Sequence, residues 1–373
     1  MKFRSFNCRY LLPIIFAFSF IVISCEEGLT EPHLEVFTTD NIVKLQAAAD
    51  KIMRTYPTPG LLAYIRVEGE GELYITRGVG NITTNELMNV NNNFRIASVT
   101  KTFTTEAVLI LADEGKIDIN KSVTFYLPEL NIPSGDKITI RMLGNMTSGF
   151  VDCLNDSAIN VSYIDSQGSI RFTPESLVAA AFKYPLKFTP GTRYDYCNTN
   201  TILLGLVIKK VTGEPVSQVL EEKIFQPLGL THTFWPESNY LPYPYHHAYT
   251  RELGTLTDVT YWSNSIGDAA GILVSNISDL IIWAKELNER NLLSANMKAE
   301  RYAWIDGSTP GSYYGFGIER MGNWVGHPGL IMGYNNQVFY HAGKKITIIV
   351  TTNSEEGQPA FVAFAEFAKI LTP

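Results

Sequence analysis

Apolar and polar positions recur along this chain with two different periods, and the periods divide it into segments. Asn41–Tyr56 carries Val43, Leu45, Ala49 and Ile52 at helical spacing behind a Thr39-Asp40 cap, and Pro57-Thr-Pro-Gly60 breaks it. Leu61–Val67 and Glu72–Gly78 are strand-like runs joined by Glu68-Gly-Glu-Gly71, a hairpin signal. The next strong period is helical: Phe103, Ala107, Ile110 and Leu111 form one apolar face, and Gly115 stops it. From about residue 117 to 267 strand signals thin out. Short helical segments follow one another there, at Ile138–Asn145, Pro174–Tyr184, Ile202–Thr212 and Pro215–Phe225, punctuated by Gly and Pro. Ser275–Asp279 then leads into an amphipathic helix through about Leu287. Strand-like Tyr313–Arg320, Gly333–His341 and Ile346–Thr352 come next, the last two joined through Ala342-Gly-Lys-Lys345, and Gln358–Leu371 reads as a closing helix. The two ends thus supply strands and the middle supplies helices. This predicts an α/β (α+β) fold: one antiparallel sheet built from both chain ends, flanked by helices, with a mostly helical lobe inserted at about 117–267.

The first residues are set apart from this pattern. Lys2, Arg4 and Arg9 precede an apolar run, Leu11–Ser24, that is too short to cross a bilayer comfortably and ends Val22-Ile-Ser-Cys25. Residues 1–25 read as a signal segment, 26–37 as a polar tether and 38–373 as the folded domain. With 373 residues, 45% apolar and 18% charged, the chain has ample material for a core. A net charge of −7 without a basic stripe argues against nucleic acid as a partner. Four cysteines without a Cys-x-x-Cys and six histidines without ligand spacing predict no metal site, and no cofactor motif is present. His246-His247 reads as a solvated pair in a Tyr/Pro-rich loop. Nothing in the sequence sets an oligomeric state.

Three clusters bear chemistry. Ser98 and Lys101 lie one turn apart where the central helix begins, where backbone N–H groups are unpaired and the dipole is positive. Burial would lower the lysine pKa and let it accept the serine proton near neutral pH. Alone, the same spacing is what a capping serine and a solvated first-turn lysine give. In Tyr194-Asp-Tyr-Cys-Asn198, Tyr196 and Asn198 point to one side of an extended segment. The phenol can relay a proton, and the amide can hold a substrate carbonyl or the lysine. In Gly326-His-Pro-Gly-Leu330 the glycine admits a close-lying backbone and His327 can donate a hydrogen bond.

Taken together, Ser98-x-x-Lys101, Tyr196-x-Asn198 and His327-x-Gly329 resemble, in order and rough spacing, the three motifs of the serine β-lactamase and penicillin-binding-protein-like hydrolases. The nearest branch is that of class C β-lactamases, D-Ala-D-Ala carboxypeptidases and related esterases. Met146-Thr-Ser-Gly149, Pro227-Leu-Gly-Leu230 and Ala270-Gly-Ile-Leu-Val274 extend the resemblance from about Thr38 to the end. It implies that Ser98 forms an acyl-enzyme and that Lys101 and Tyr196 share general-base and general-acid duty, their order open. It implies that Asn198 positions the substrate amide or the Lys101 amine. His327 would sit on an edge strand and orient Tyr196 or the substrate. Gly329 would belong to the substrate-binding segment, and the N–H groups of Ser98 and Leu330 would form the oxyanion hole. The implied function is an exported serine hydrolase of a peptide, amide or ester, first a D-Ala-D-Ala carboxypeptidase-like peptidase or amidase. A carboxylesterase, a β-lactamase and a non-catalytic penicillin-binding lobe are the other readings. Val22–Cys25 resembles a bacterial lipobox, which implies a lipid on Cys25 and attachment to a cell-envelope membrane, at the periplasmic or outer-membrane face. A plain signal peptide or a short anchor is the alternative.

The third motif departs from the family pattern. Carboxylate-binding members place hydroxyl residues at its second and fourth positions, where this chain has Pro328 and Leu330. Histidine stands where lactamases carry lysine. Arg320 is the candidate for the missing positive charge. Cys197, between Tyr196 and Asn198, either pairs with Cys153 or stays a separate thiol. The loop Phe234–Trp262, with Tyr240, Tyr243, Tyr245, Tyr249, Tyr261 and Trp262, reads as an aromatic wall of the site or as ordinary packing.

Overall fold

Helix α1 (Thr39–Thr55) starts where Thr38 accepts a hydrogen bond from the Asn41 N–H at 3.1 Å. It buries Leu45, Ala48, Ala49 and Ile52, whereas Val43, which the pattern placed with them, is 58% exposed. The structure, a computed structural model, describes residues 36–289 and 291–373. The signal segment, Cys25 and the tether as far as residue 35 lie outside the described residues.

Strand β1 (Gly60–Val67) shows why its sequence is apolar almost throughout. Leu61, Ala63 and Ile65 enter one core and Leu62 and Tyr64 the other, so both faces are covered. It pairs with β2 (Gly71–Asn81), which is followed by the short β3 (Glu86–Leu87). Chain order then brings helices α2 (Thr100–Asp113), α3 (Asn198–Thr212) and α4 (Ile277–Glu289). Besides α3, short helices, 3-10 turns and one two-stranded ribbon, Tyr249–Thr250 with Thr257–Asp258, lie between residues 117 and 267. The sheet resumes with β4 (Ile305–Asp306), β5 (Ser312–Tyr314), β6 (Glu319–Met321), β7 (Trp324–Ile331), β8 (Tyr334–His341) and β9 (Ile346–Thr352), and α5 (Pro359–Leu371) follows.

The nine strands are ordered β3-β2-β1-β9-β8-β7-β6-β5-β4, every pairing antiparallel. First and last strands meet at the centre, with Leu61 opposite Thr352 and Val67 opposite Ile346. α1 and α5 cover one face; α2, α4 and the helices of 117–267 cover the other.

Two segments differ from the pattern. Tyr313–Arg320 is two strands, because Gly315-Phe-Gly317 dips inward: Phe316 is buried, its N–H donates to the Arg301 carbonyl at 3.0 Å, and Gly317 N–H donates to the Gly144 carbonyl at 2.8 Å. Trp324–Ile331, rich in strand-poor Gly and Pro, is a full strand on β8. Only Trp324–Gly326 also pair with β6, so from His327 onward this edge is open, and Pro328 sits where no N–H is required. His327 is therefore on a strand interior to the sheet whose second half is a local edge.

Candidate active site

Ser98 sits in a 3-10 turn, Ala97–Val99, that feeds directly into α2. Ala97 has φ +49°, a left-handed conformation that costs a residue with a Cβ about 1–3 kcal/mol and is held by its surroundings. Ile96 N–H donates to the Leu273 carbonyl at 3.0 Å and Leu273 N–H to Thr100 Oγ1 at 3.1 Å. On the opposite side β7 presses against the turn: a Cβ at Gly329 would stand 2.4 Å from the Ile96 carbonyl oxygen.

Lys101 is fully buried. Its ammonium nitrogen donates to Ser98 Oγ at 2.9 Å, Asn198 Oδ1 at 2.7 Å and the Ala270 carbonyl at 2.8 Å, so three donors meet three acceptors. Burial pushes its pKa down to about 7, while the charge of Asp152 pulls the other way. The sequence pattern put Lys101 on a half-solvated helix. In fact every residue from Thr100 to Leu111 is buried. The helix tolerates this because its polar groups are satisfied: Thr104 donates to the Ala269 carbonyl at 2.7 Å, Thr105 to the Lys101 carbonyl at 2.7 Å, and Glu106 pairs with buried Arg301 at 2.6 Å.

Tyr196 stands beside the pair, its ring centroid 4.8 Å from the Lys101 nitrogen, and the Ser98 hydroxyl partly offsets the effect of burial on its phenol. Burial raises its pKa well above 10, so the phenol keeps its proton at neutral pH. Asn198 opens α3, and Asp152 fixes its orientation. The Asn198 backbone N–H and its Nδ2 both donate to Asp152 Oδ2 at 2.8 Å, which turns Oδ1 toward Lys101. Asp152 was not singled out from the sequence; its place shortly after Met146-Thr-Ser-Gly149 is the only signal for it.

His327 is buried, and its Nδ1 lies 2.6 Å from the Pro328 carbonyl. A carbonyl only accepts, so Nδ1 carries the proton and Nε2 accepts from the Tyr314 hydroxyl at 3.0 Å. Burial, with the nearby Lys101 charge adding to it, pushes the imidazole pKa down to about 3 and keeps it neutral. Tyr314 adjoins both groups, its ring 6.2 Å from Tyr196 and 5.8 Å from His327. It too was not read from the sequence, since it lay inside a segment taken for one long strand. Gly329 and half-exposed Leu330 line the open edge beside Ser98.

Ser98 and Asn198 open onto a cavity of about 440 Å³ bounded by Leu154, Tyr163, Ile266 and Leu330. Of the Phe234–Trp262 loop aromatics none lines it; Trp262 instead stacks edge-on behind Tyr163, ring centroids 5.4 Å apart. Arg320 does not reach the site, because its guanidinium lies over the rings of Tyr313 and Trp304, 4.1 and 5.2 Å from their centroids. Cys153 and Cys197 are separate buried thiols. His246, read as solvated, is 1% exposed and accepts from the Asn89 N–H at 3.1 Å, because the loop folds back over Asn89–Asn93. Among the described residues no group of three or more His, Cys, Asp or Glu is placed to hold a metal.

The sequence model of the Beta-lactamase family matches residues 45–370. This chain belongs to that family. It is a serine hydrolase of the β-lactamase fold. It is 28% identical over 297 residues, 77% of this chain and 70% of the relative, to "Putative penicillin-binding protein PbpX" of Bacillus subtilis (strain 168). Its fold matches a D-stereospecific amidohydrolase from Streptomyces sp. with a TM-score of 0.78 at 29% identity, covering 88% of this chain and 98% of that one. It also matches the fold of the D-amino acid amidase from Ochrobactrum anthropi SV3, solved with L-phenylalanine amide, with a TM-score of 0.75 at 22% identity over 89% of this chain and 99% of that one.

Proposed function

We propose that this protein hydrolyses amides or esters of amino-acyl substrates through an acyl-enzyme on Ser98. The observation that carries the reading is Lys101, fully buried, 2.9 Å from Ser98 Oγ and with its pKa pushed to about 7. Near neutral pH a large fraction of it is an uncharged amine able to take the Ser98 proton as the oxygen attacks the substrate carbonyl. Tyr196, held protonated, then supplies a proton to the leaving nitrogen or oxygen and recovers one through Lys101. The Ser98 and Leu330 N–H groups stabilise the developing oxyanion, each worth about 3–4 kcal/mol. Within the family the amidase and esterase arm is favoured over the carboxypeptidase arm. The positions that would hold a leaving-group carboxylate are Pro328 and Leu330, Arg320 is stacked elsewhere, and no lysine or arginine lines the cavity. The Streptomyces amidohydrolase, at 29% identity, supports the same arm.

The experiment is a turnover screen over a D-amino-acid amide, a p-nitrophenyl ester and a D-Ala-D-Ala peptide, with intact mass after a fluorophosphonate probe. Expected are turnover of the first two, one adduct, and loss of both turnover and adduct in Ser98→Ala. Efficient release of D-Ala from the dipeptide terminus would favour the carboxypeptidase arm, and undiminished turnover by Ser98→Ala would end the reading. On the sequence alone, we propose in addition that Cys25 is lipidated after export. A mass shift of the mature amino terminus, lost in Cys25→Ser, tests this.

A further inference from the structure

The cavity beside Ser98 has a charge pattern that the reaction itself does not need. Much of its lining is apolar, with Leu154, Ile164, Ile266 and Leu330 among those residues, and Glu252 is the single lining residue with a formal charge. Glu252 belongs to a loop that is tied to the site. Its N–H donates to Thr250 Oγ1 at 3.2 Å, the Thr250 hydroxyl donates to Glu355, and Glu355 Oε2 accepts from the Gly333 N–H at 2.7 Å. Gly333 directly follows Ile331 and Met332, which line the same cavity at the end of β7. The loop carrying Glu252 is thereby fixed to the residues that follow β7 at the edge of the cavity. The Glu252 side chain itself is exposed to solvent at this rim. Its neighbour Arg251 reaches Glu356 instead, at 4.0 Å, and offers it no counter-charge.

Resting on the reading of this site as an amino-acyl hydrolase, we infer that Glu252 sets acyl specificity: its carboxylate receives an ammonium group on the acyl portion of the substrate, whose apolar part fills the cavity. A lone carboxylate on a largely apolar wall attracts a cation and repels an anion, and no positive lining group cancels either effect. Asn160 adds to it. Its Nδ2 donates to the Leu154 carbonyl at 2.7 Å, which leaves the amide oxygen to accept from the same ammonium.

The test compares kcat/KM for the p-nitroanilides of D-phenylalanine, of 3-phenylpropanoate, which lacks the amine, and of benzylsuccinate, which carries a carboxylate instead. The wild type should prefer the first over the second by about threefold to fivefold, the order expected of a solvent-exposed ion pair, and turn over the third least. In Glu252→Gln that ratio should fall close to one, Glu252→Asp should recover part of it, and Glu252→Lys should reverse the order of the first and third substrates. The wild-type preference should weaken as salt rises. A ratio unchanged in Glu252→Gln, with the substrates still turned over, overturns this inference and leaves the hydrolase reading intact. No turnover of any of the three together with no fluorophosphonate adduct on Ser98 overturns both.

Discussion

At the scale of single residues the site is a competition over one proton. Desolvation disfavours the charged form of Lys101, and the Asp152 carboxylate opposes it. A lysine whose pKa lies at about 7 is protonated below that pH and cannot act as a base. The kcat/KM profile should therefore rise through an acid limb near pH 7, measurable with a neutral ester whose own charge does not change there. Asp152→Asn removes the charge that supports the ammonium form, so the Lys101 pKa falls and the limb moves to lower pH. It also loosens the grip on Asn198, so the plateau kcat should drop about tenfold or more. A limb that stays in place in Asp152→Asn would mean that another group governs it. His327 contributes no limb, because its pKa of about 3 keeps it neutral across the working range.

At the scale of elements, function depends on how closely β7 approaches the Ser98 turn. Gly329→Ala would put a methyl 2.4 Å from the Ile96 carbonyl and 3.2 Å from Asn336, and the first of these is backbone that cannot swing aside. The strand must retreat, carrying the Leu330 N–H with it, and under the oxyanion role proposed for that N–H the lost alignment is worth about 10²-fold in kcat. Fluorophosphonate labelling rates would report it, with the melting temperature showing whether the fold survives. A second element-level bond is Arg301–Glu106, which joins the helix at Ala295–Arg301 to α2, both side chains nearly fully buried. Arg301→Met removes the guanidinium that neutralises the buried Glu106 carboxylate and should cost about 3–5 kcal/mol in urea unfolding, and Glu106→Gln in the same chain should restore much of it. The sequence pattern did not reveal this pair, since charged residues spaced along a helix ordinarily read as its wet face. β7 escaped for a related reason: Gly329 serves the close approach to the Ser98 turn and Gly326 the close approach to Val338 and Phe339 of β8, both at the expense of strand propensity. The strands buried along all or nearly all of their length, β9 and β1, were legible to within a residue or two. That Ser98, Lys101, Tyr196 and Asn198 converge was legible because motif spacing encodes it, whereas Asp152 and Tyr314 join the cluster through partners distant in sequence.

At the scale of the molecule, the two chain ends hold the sheet together. β1 and β9 are neighbours at its centre, and α1 and α5 lie on the same outer face, so the half of the core away from the cleft is closed by residues from opposite ends of the domain. The site faces the other layer, yet β7 and β8 are shared by both: Phe339 on β8 enters the outer core while its neighbour Val338 enters the inner one. Removing residues 359–373 deletes no residue of the site but uncovers this outer face. Phe364, Phe367 and Leu371 are each almost fully buried, and losing them at about 2–3 kcal/mol apiece approaches the entire stability of an ordinary domain. The truncated chain should therefore lose its cooperative urea transition, bind a hydrophobic dye and fail to label at Ser98. The full chain with Phe367→Ala should retain labelling while unfolding about 3–5 kcal/mol more easily. Truncation that left labelling intact would mean that the inner layer folds by itself and that the outer helices are a cover. The geometry argues otherwise, because the strand that positions Gly329 is held in register by β8, and β8 is held by β9, on whose outer face α5 lies.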